Sequence, residues 1–176
     1  MIDKQTFREA MSRLAAAVNV ITSNGPGGLC GCTASAVCSV SDEPPILLVC
    51  INRSSRNNAV LKENQQLCVN VLRADQEALA LQFSRSGTDV AERFAGTGWT
   101  EPQEDHAVDG APGSPMLDDA LVSLDCRITG SAEVGSHTVF YCTVEDTRFG
   151  APGPGLVYFE RAFHAVPASD SSDDQK

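Results

Sequence analysis

Two neighbouring stretches of this chain carry side chains that suit binding chemistry. From Thr33 to Val40 the order Thr-Ala-Ser-Ala-Val-Cys-Ser-Val sets Thr33, Ser35, Val37 and Ser39 against Ala34, Ala36, Cys38 and Val40. With a strand's period of two, small hydroxyls share one face and small apolar groups the other. A strand without bulk leaves room for something flat, and its hydroxyls and backbone amides can bond to that molecule's rim. The second stretch, Asn52-Arg53-Ser54-Ser55-Arg56-Asn57, follows the apolar run Ile46 to Ile51 and leads into Ala59-Val60-Leu61. It reads as a serine-capped helix start, where unpaired amide hydrogens, hydroxyls and guanidinium groups together suit a phosphate. The plainer reading is a solvated helix cap.

Other reactive side chains are sparse. Cys30-Gly31-Cys32 could be a redox pair or half a metal site, but zinc sites bring a second pair or histidines at fixed spacing, so a structural role is the simpler account. Among the three histidines, His106 sits in an acidic, glycine- and proline-rich loop and reads as solvated. His137 follows Gly135-Ser136 at what reads as a hairpin tip. No metal site is expected. There is no Gly-x-Gly-x-x-Gly, Walker loop, His-Glu-x-x-His or Gly-x-Ser-x-Gly, which argues against a dinucleotide fold, a P-loop enzyme, a zincin or a serine hydrolase.

The elements that must position these residues are mostly strands. Thr6 and Glu9 form a capping-box signal for a first helix, with Phe7, Ala10, Met11 and Leu14 predicted to face the core. A strand over Val18 to Thr22 turns at Asn24 to Gly28 into one continuous strand from Thr33, and Ile46 to Ile51 reads as a fully buried strand. Further on, Leu67 to Leu72 is a strand, Asp75 caps a helix with Leu79 and Phe83 on one face, and Asp89 to Phe94 makes another helical turn. Gly96 to Pro115 is a long loop of the kind that forms lids or surface excursions. Val122, Leu124, Cys126 and Ile128 alternate with Ser123, Asp125, Arg127 and Thr129, predicting a half-buried strand paired with His137 to Thr147. A final strand spans Leu156 to Phe163. Together these predict a mainly β protein with short helices, closed as a small antiparallel barrel.

One domain over residues 1–166 is expected, with an acidic, disordered tail at 167–176. A length of 176 residues with 42% hydrophobic residues fits a single core. A formal net charge of -10 argues against nucleic acid and anionic lipid as partners. No apolar run approaches the roughly 20 residues of a membrane span, and the N-terminus lacks a secretory pattern. Seven cysteines, an odd number placed mostly in apolar strand patterns, fit a reducing compartment, so a cytoplasmic protein is expected.

At this point the sequence resembles the short-chain flavin reductases of two-component monooxygenases, which have an FMN-binding split β-barrel with Greek-key-like, antiparallel strands. The resemblance covers nearly the whole ordered chain and is carried by Phe7 to Met11, Ala17 to Thr22, Thr33 to Val40, Pro44-Pro45, Cys50 to Asn52, Leu67 to Leu72 and Gly135-Ser136-His137. It is similar in particular to the reductases serving 4-hydroxyphenylacetate 3-monooxygenase and the pyrimidine-degradation monooxygenase, and a corrinoid-reducing branch shares its motifs. The resemblance implies hydride transfer from NADH or NADPH to FMN, or to FAD or riboflavin, with the reduced flavin passing to a partner monooxygenase. It implies a homodimer with two flavin sites. Thr33, Ala34, Ser35 and Ala36 would run along the ring system, with Cys50, Ile51 and Asn52 at its edge, the phosphate near Ser54 and Asn57, and Phe83, Ser84 and Arg85 closing the far side. His137, as the catalytic candidate, would border the nicotinamide with Arg13 and Tyr158. The sequence departs from many relatives at Ser136, where they carry threonine. Two alternatives stand beside this reading: a flavin-binding barrel acting as an electron carrier or corrinoid reductase, and a thiol redox protein using Cys30 and Cys32.

Overall fold

The computed structural model describes residues 1–100 and 113–169. The expected loop at Gly96 to Pro115, with His106, and the expected tail fall largely outside them. Helix α1 (Lys4–Ser12) starts at Asp3, whose carboxylate accepts from the backbone N–H groups of Gln5 and Thr6 and from the Thr6 hydroxyl. Asp3 is therefore the cap, and the expected Thr6–Glu9 box does not form. Glu9 instead pairs with Arg161 at 2.8 Å. The expectation that the apolar stripe faces the core also fails, since α1 buries no residue and Phe7, Met11 and Leu14 are exposed. The Glu9–Arg161 pair and a bond from the Glu160 N–H to the Ser12 carbonyl tie the helix to the outside of the body.

Next come β1 (Ala16–Ala17), β2 (Asn19–Ser23), β3 (Cys30–Ala34), β4 (Val37–Asp42) and β5 (Pro45–Asn52). They are followed by α2 (Arg56–Asn64), β6 (Gln66–Val71), α3 (Glu77–Ser84) and α4 (Val90–Phe94). The remaining strands are β7 (Trp99–Thr100), β8 (Met116–Leu117), β9 (Val122–Val134), β10 (His137–Phe149), β11 (Gly155–Phe159) and β12 (Ala162–Val166). Seven form one antiparallel sheet in the order β3-β2-β6-β9-β10-β5-β4, and β1-β11-β12 form a second. The large sheet begins and ends with strands adjacent in sequence. Ser35 and Ala36, which break the strand expected from Thr33 onward, carry the chain from one edge to the other, and the Cys50 N–H donates to the Ala36 carbonyl at 3.0 Å beside that crossing. The sheet thus curls on itself as a split barrel.

Several expectations change in detail. In β5 only Leu47, Val49 and Ile51 are buried, while Ile46, Leu48 and Cys50 are half-buried, so one face of that strand is covered and the other is partly open. Asp75 lies in a 3₁₀ turn (Ala74–Gln76) ahead of α3 and does not cap it. Ser123 and Asp125, placed on the polar face of β9, are buried. Asn70 accounts for Ser123: its side chain donates to the Val20 carbonyl and Thr22 hydroxyl and accepts from the Leu117 N–H and the Ser123 hydroxyl, both at 2.8 Å. The single strand expected over Leu156 to Phe163 is a hairpin, turning at Glu160 and Arg161 with φ of 47° and 64°.

Two apolar clusters hold the body together. Ile21, Val49, Leu67, Cys126 and Phe140 fill the barrel, while Val18, Leu72, Leu79, Phe83, Leu117 and Leu156 pack beneath α3. Full burial of each large side chain contributes about 1.5–3 kcal/mol. The second cluster fixes α3 against β2 and β3, which sets the position of the residues after it.

Candidate functional site

A cleft of about 720 Å³ opens where β3, the start of α2 and the end of α3 converge. Ser55 caps α2, its hydroxyl accepting from the Asn57 N–H at 3.3 Å, as a serine before a helix predicts. Asn52 shapes the turn ahead of it by accepting from the N–H and hydroxyl of Ser54, both at 2.9 Å. Asn58 anchors the helix by donating to the Ile51 carbonyl at 3.1 Å. The first turn of α2 therefore lines the cleft with Ser55, Arg56 and Asn57. From the opposite wall come Ser84 and Arg85, exposed at the end of α3. Two exposed guanidinium groups, Arg56 and Arg85, thus share the cleft with the hydroxyls of Ser54, Ser55 and Ser84, an arrangement that can neutralise a dianion.

Of the expected set, the cleft brings together Thr33, Ser54, Asn57, Phe83, Ser84 and Arg85. Thr33 sits with its hydroxyl bonded to the Ala80 carbonyl of α3. Phe83 is buried, so it backs the cleft and does not close it as a lid. Ala34 is buried, whereas Ser35 and Ala36 lie exposed on the seam that continues from the cleft. Cys50 faces that seam through its bond to Ala36. Ile51 points its side chain into the barrel core, which leaves only its backbone for a ligand.

His137 stands opposite Asn52 in the β5–β10 register. Its Nδ1 lies 2.9 Å from the Ser136 hydroxyl, and the Ser136 carbonyl accepts from the Arg53 N–H at 2.9 Å. The hairpin tip is further held by Glu133, which pairs with Arg53 and Lys62 at 2.8 Å each; the Lys62 hydrogen bond and the Arg53 charge hold its carboxyl below the usual range. Arg13 and Tyr158 are not part of this cleft. Tyr158 pairs with Ala16 in the second sheet, and Arg13 lines a shallow groove on α1 beside Glu9, 3.6 Å away. Within one chain, no described contact joins either of them to His137.

Cys30 and Cys32 do not form a working dithiol. Both thiols are free, two residues apart on β3. Burial pushes the Cys30 thiol up to about 12 and Cys32 to about 11, which suppresses the thiolate. Among the described residues no cluster of ligands could hold a metal ion, and no helix is long and apolar enough to cross a membrane.

Among the residues of the cleft, Gly31 and Arg93 were not part of the sequence reading of the ring and phosphate sites. A Cβ on Gly31 would stand 2.6 Å from Phe83 Cε1 and 3.1 Å from Phe94 Cζ, so only glycine lets the aromatic side chains lie against β3. Arg93 is buried at 8% exposure and falls on the same helical stripe as Val90 and Phe94, an unusual place for a cation that could have been noticed.

Comparison with known proteins agrees with this geometry. Residues 11–167 match the flavin reductase like domain. The chain is 48% identical over 166 residues to the FMN reductase (NADH) RutF of Escherichia coli O127:H6, covering 94% of this chain and 96% of that protein. A solved flavin reductase component of a bacterial two-component tryptophan halogenase, BorF, superposes with a TM-score of 0.84 at 26% identity, over 94% of this chain and 99% of its own. The NADH:FAD oxidoreductase SgcE6 of Streptomyces globisporus C-1027, solved with NAD and FAD fragments, superposes with a TM-score of 0.82 at 26% identity, over 96% and 95% of the two chains.

Proposed function

Since the chain belongs to the flavin reductase family, we propose that it is an NADH-dependent FMN reductase whose cleft holds the flavin phosphate and whose seam carries the ring. The observation that supports this most directly is a cleft lined by a capped helix start and two arginines, with the small side chains of Ser35 and Ala36 exposed just beyond its Thr33 wall in sequence. When bound, the flavin supplies the hydride acceptor, and the protein needs no triad or metal to move a proton before transfer. Thr33, Ser35, Cys50 and Asn52 would orient the ring by side-chain and backbone bonds, and Ser54, Ser55, Asn57, Ser84 and Arg85 would hold the phosphate. His137, fixed by Ser136, would bind and orient the nicotinamide donor.

The acceptor after the flavin is inferred to be a partner monooxygenase, and the seven free thiols suit the cytoplasm. The chain is further inferred to act as a homodimer. Support comes from α1 and the turn after it, where Phe7, Met11 and Leu14 are exposed at 54%, 41% and 62%, and from the open seam at Ser35 and Ala36. A two-fold partner would cover both and could bring Arg13 and Tyr158 to the other chain's flavin. Anaerobic mixing of NADH with the FMN-loaded protein decides the activity. Rapid bleaching of the yellow colour is expected; stable colour in excess NADH would leave only the carrier reading.

A further inference from the structure

The buried guanidinium of Arg93 touches neither the exposed strip nor the helix start, yet it joins the walls of the cleft. Its Nη1 donates to the Gly31 carbonyl on the edge of β3 at 2.9 Å and to the Phe83 carbonyl at 3.0 Å, and its Nη2 donates to the Arg85 carbonyl at 2.6 Å. The Phe83 ring centroid lies 6.0 Å from its Cζ. Arg93 is itself fixed from both ends. Asp89 caps the five-residue helix through the Ala91 N–H at 2.8 Å, and Gln82 donates to the Arg93 carbonyl at 2.7 Å.

Three backbone carbonyls on two elements, a strand edge and a helix end, therefore converge on one cation. A β-strand edge and a helix C-terminus both present unpaired carbonyls, and the partial negative charge at a helix end favours a cation there. Among the described residues no acidic side chain is hydrogen-bonded to Arg93, whose charge is met by these carbonyl dipoles. The Ser84-Arg85 turn, whose side chains reach the cleft, is tied to the edge of β3 by this clamp, while one turn earlier the Thr33 hydroxyl ties α3 itself to the same strand. We propose that Arg93 is a positioning residue that sets the cleft's preference for phosphorylated flavin by holding Ser84 and Arg85 where they can meet the phosphate.

This inference rests on the placement of the phosphate between α2 and the end of α3. The probes are FMN and riboflavin, which share a ring and differ at the phosphate, titrated by flavin fluorescence into the wild type and into R93M. A clamp that only supports the fold would weaken both flavins alike. A clamp that positions the phosphate ligands should weaken FMN about tenfold or more while leaving riboflavin within about threefold, because charge-assisted bonds to the phosphate are lost with the turn. R93K keeps the charge and part of the stem, serves where R93M does not fold, and should keep an intermediate preference. A wild-type protein that binds riboflavin as tightly as FMN would refute the phosphate placement itself. A wild-type preference for FMN that survives in R93M or R93K would refute the role of Arg93 and leave that placement standing.

Discussion

Gly31→Ala adds one methyl group at a point where the flavin cleft and the aromatic core meet. The new Cβ would lie 2.6 Å from Phe83 Cε1 and 3.1 Å from both Phe83 Cδ1 and Phe94 Cζ. Carbon atoms settle about 3.5–4.0 Å apart, so the Phe83 ring must retreat by about 1 Å. It has nowhere to go, because Phe94 lies 5.1 Å and Trp99 5.5 Å from it, centroid to centroid, and the side chain is 1% exposed. Overpacking of this kind costs about 1–3 kcal/mol, against which alanine regains about 0.4–1 kcal/mol by restricting the unfolded chain. A net loss of about 1–2 kcal/mol should lower Tm by about 3–6 °C for a domain of this size. Since the ring precedes Ser84 and Arg85, FMN affinity should fall about tenfold in a fluorescence titration, the equivalent of a similar free energy. Phe83→Leu in the same background should recover part of the stability, and urea denaturation of the single and double variants measures that coupling. If G31A keeps both its urea midpoint and its FMN affinity, the aromatic wedge is not what sets the cleft wall.

His137→Ala should lower kcat/KM for NADH by about 10- to 100-fold, the loss of a bond to a charged or polar ligand, with FMN affinity nearly unchanged; wild-type steady-state kinetics would remove His137 from the donor site. Phe7→Glu with Met11→Glu should turn a dimer into a monomer in size exclusion with light scattering while leaving the far-UV spectrum intact, because neither side chain is buried in the single chain; a dimer that persists would exclude the α1 face. Stability should fall as pH rises past about 9. Unfolded thiols ionise near the ordinary value of 9.0, whereas burial keeps Cys32 protonated to about 11 and Cys30 and Cys142 to about 12, so the unfolded state binds fewer protons there. Each such thiol lowers stability by up to about 1.4 kcal/mol per pH unit across that window, and a urea midpoint that stays flat from about pH 8 to about pH 10 would contradict it.

The long strands were legible because apolar and polar residues alternate along them, as from Val122 to Ile128, although which face is covered was not, since Ser123 and Asp125 are buried there while Val122 and Leu124 are half-buried. The α2 cap was legible for a local reason, since Ser55 acts on the amide two residues away. What the sequence concealed depends on distant partners. Ser123 is polar by type and buried by Asn70, which no spacing in either segment announces. The β11–β12 turn uses Glu160 and Arg161 in the left-handed region, where glycine or asparagine would have marked it. The pattern of α1 correctly gave a helix with one apolar side but could not say whether that side meets its own chain. Arg93 was hidden for the same reason, because its role lies in three carbonyls that the fold, not the local sequence, brings together.

The small side chains from Thr33 to Ala36 answer two demands at once. A sheet whose first and last strands are consecutive in sequence must pass its chain across the opening, and at the far side of that crossing the Ala36 carbonyl accepts from the Cys50 N–H, extending the β4–β5 ladder by one pair. Large side chains there would hold the edges apart, so closure alone selects alanine and serine. Yet closure does not explain why Ser35 and Ala36 remain exposed, since a seam needed only for packing would be covered by side chains from the same barrel. The edge strands also carry backbone groups that no neighbouring strand can pair, and Arg93 satisfies one of them at Gly31, on the cleft side, while the exposed residues lie further along. On the proposed placement, a planar ring with polar edges would take the remaining length, bonding to backbone at its rim and to small side chains at its face. The place where the barrel is split would then be where a flat cofactor is least costly to admit, with the helix start and arginines meeting its phosphate.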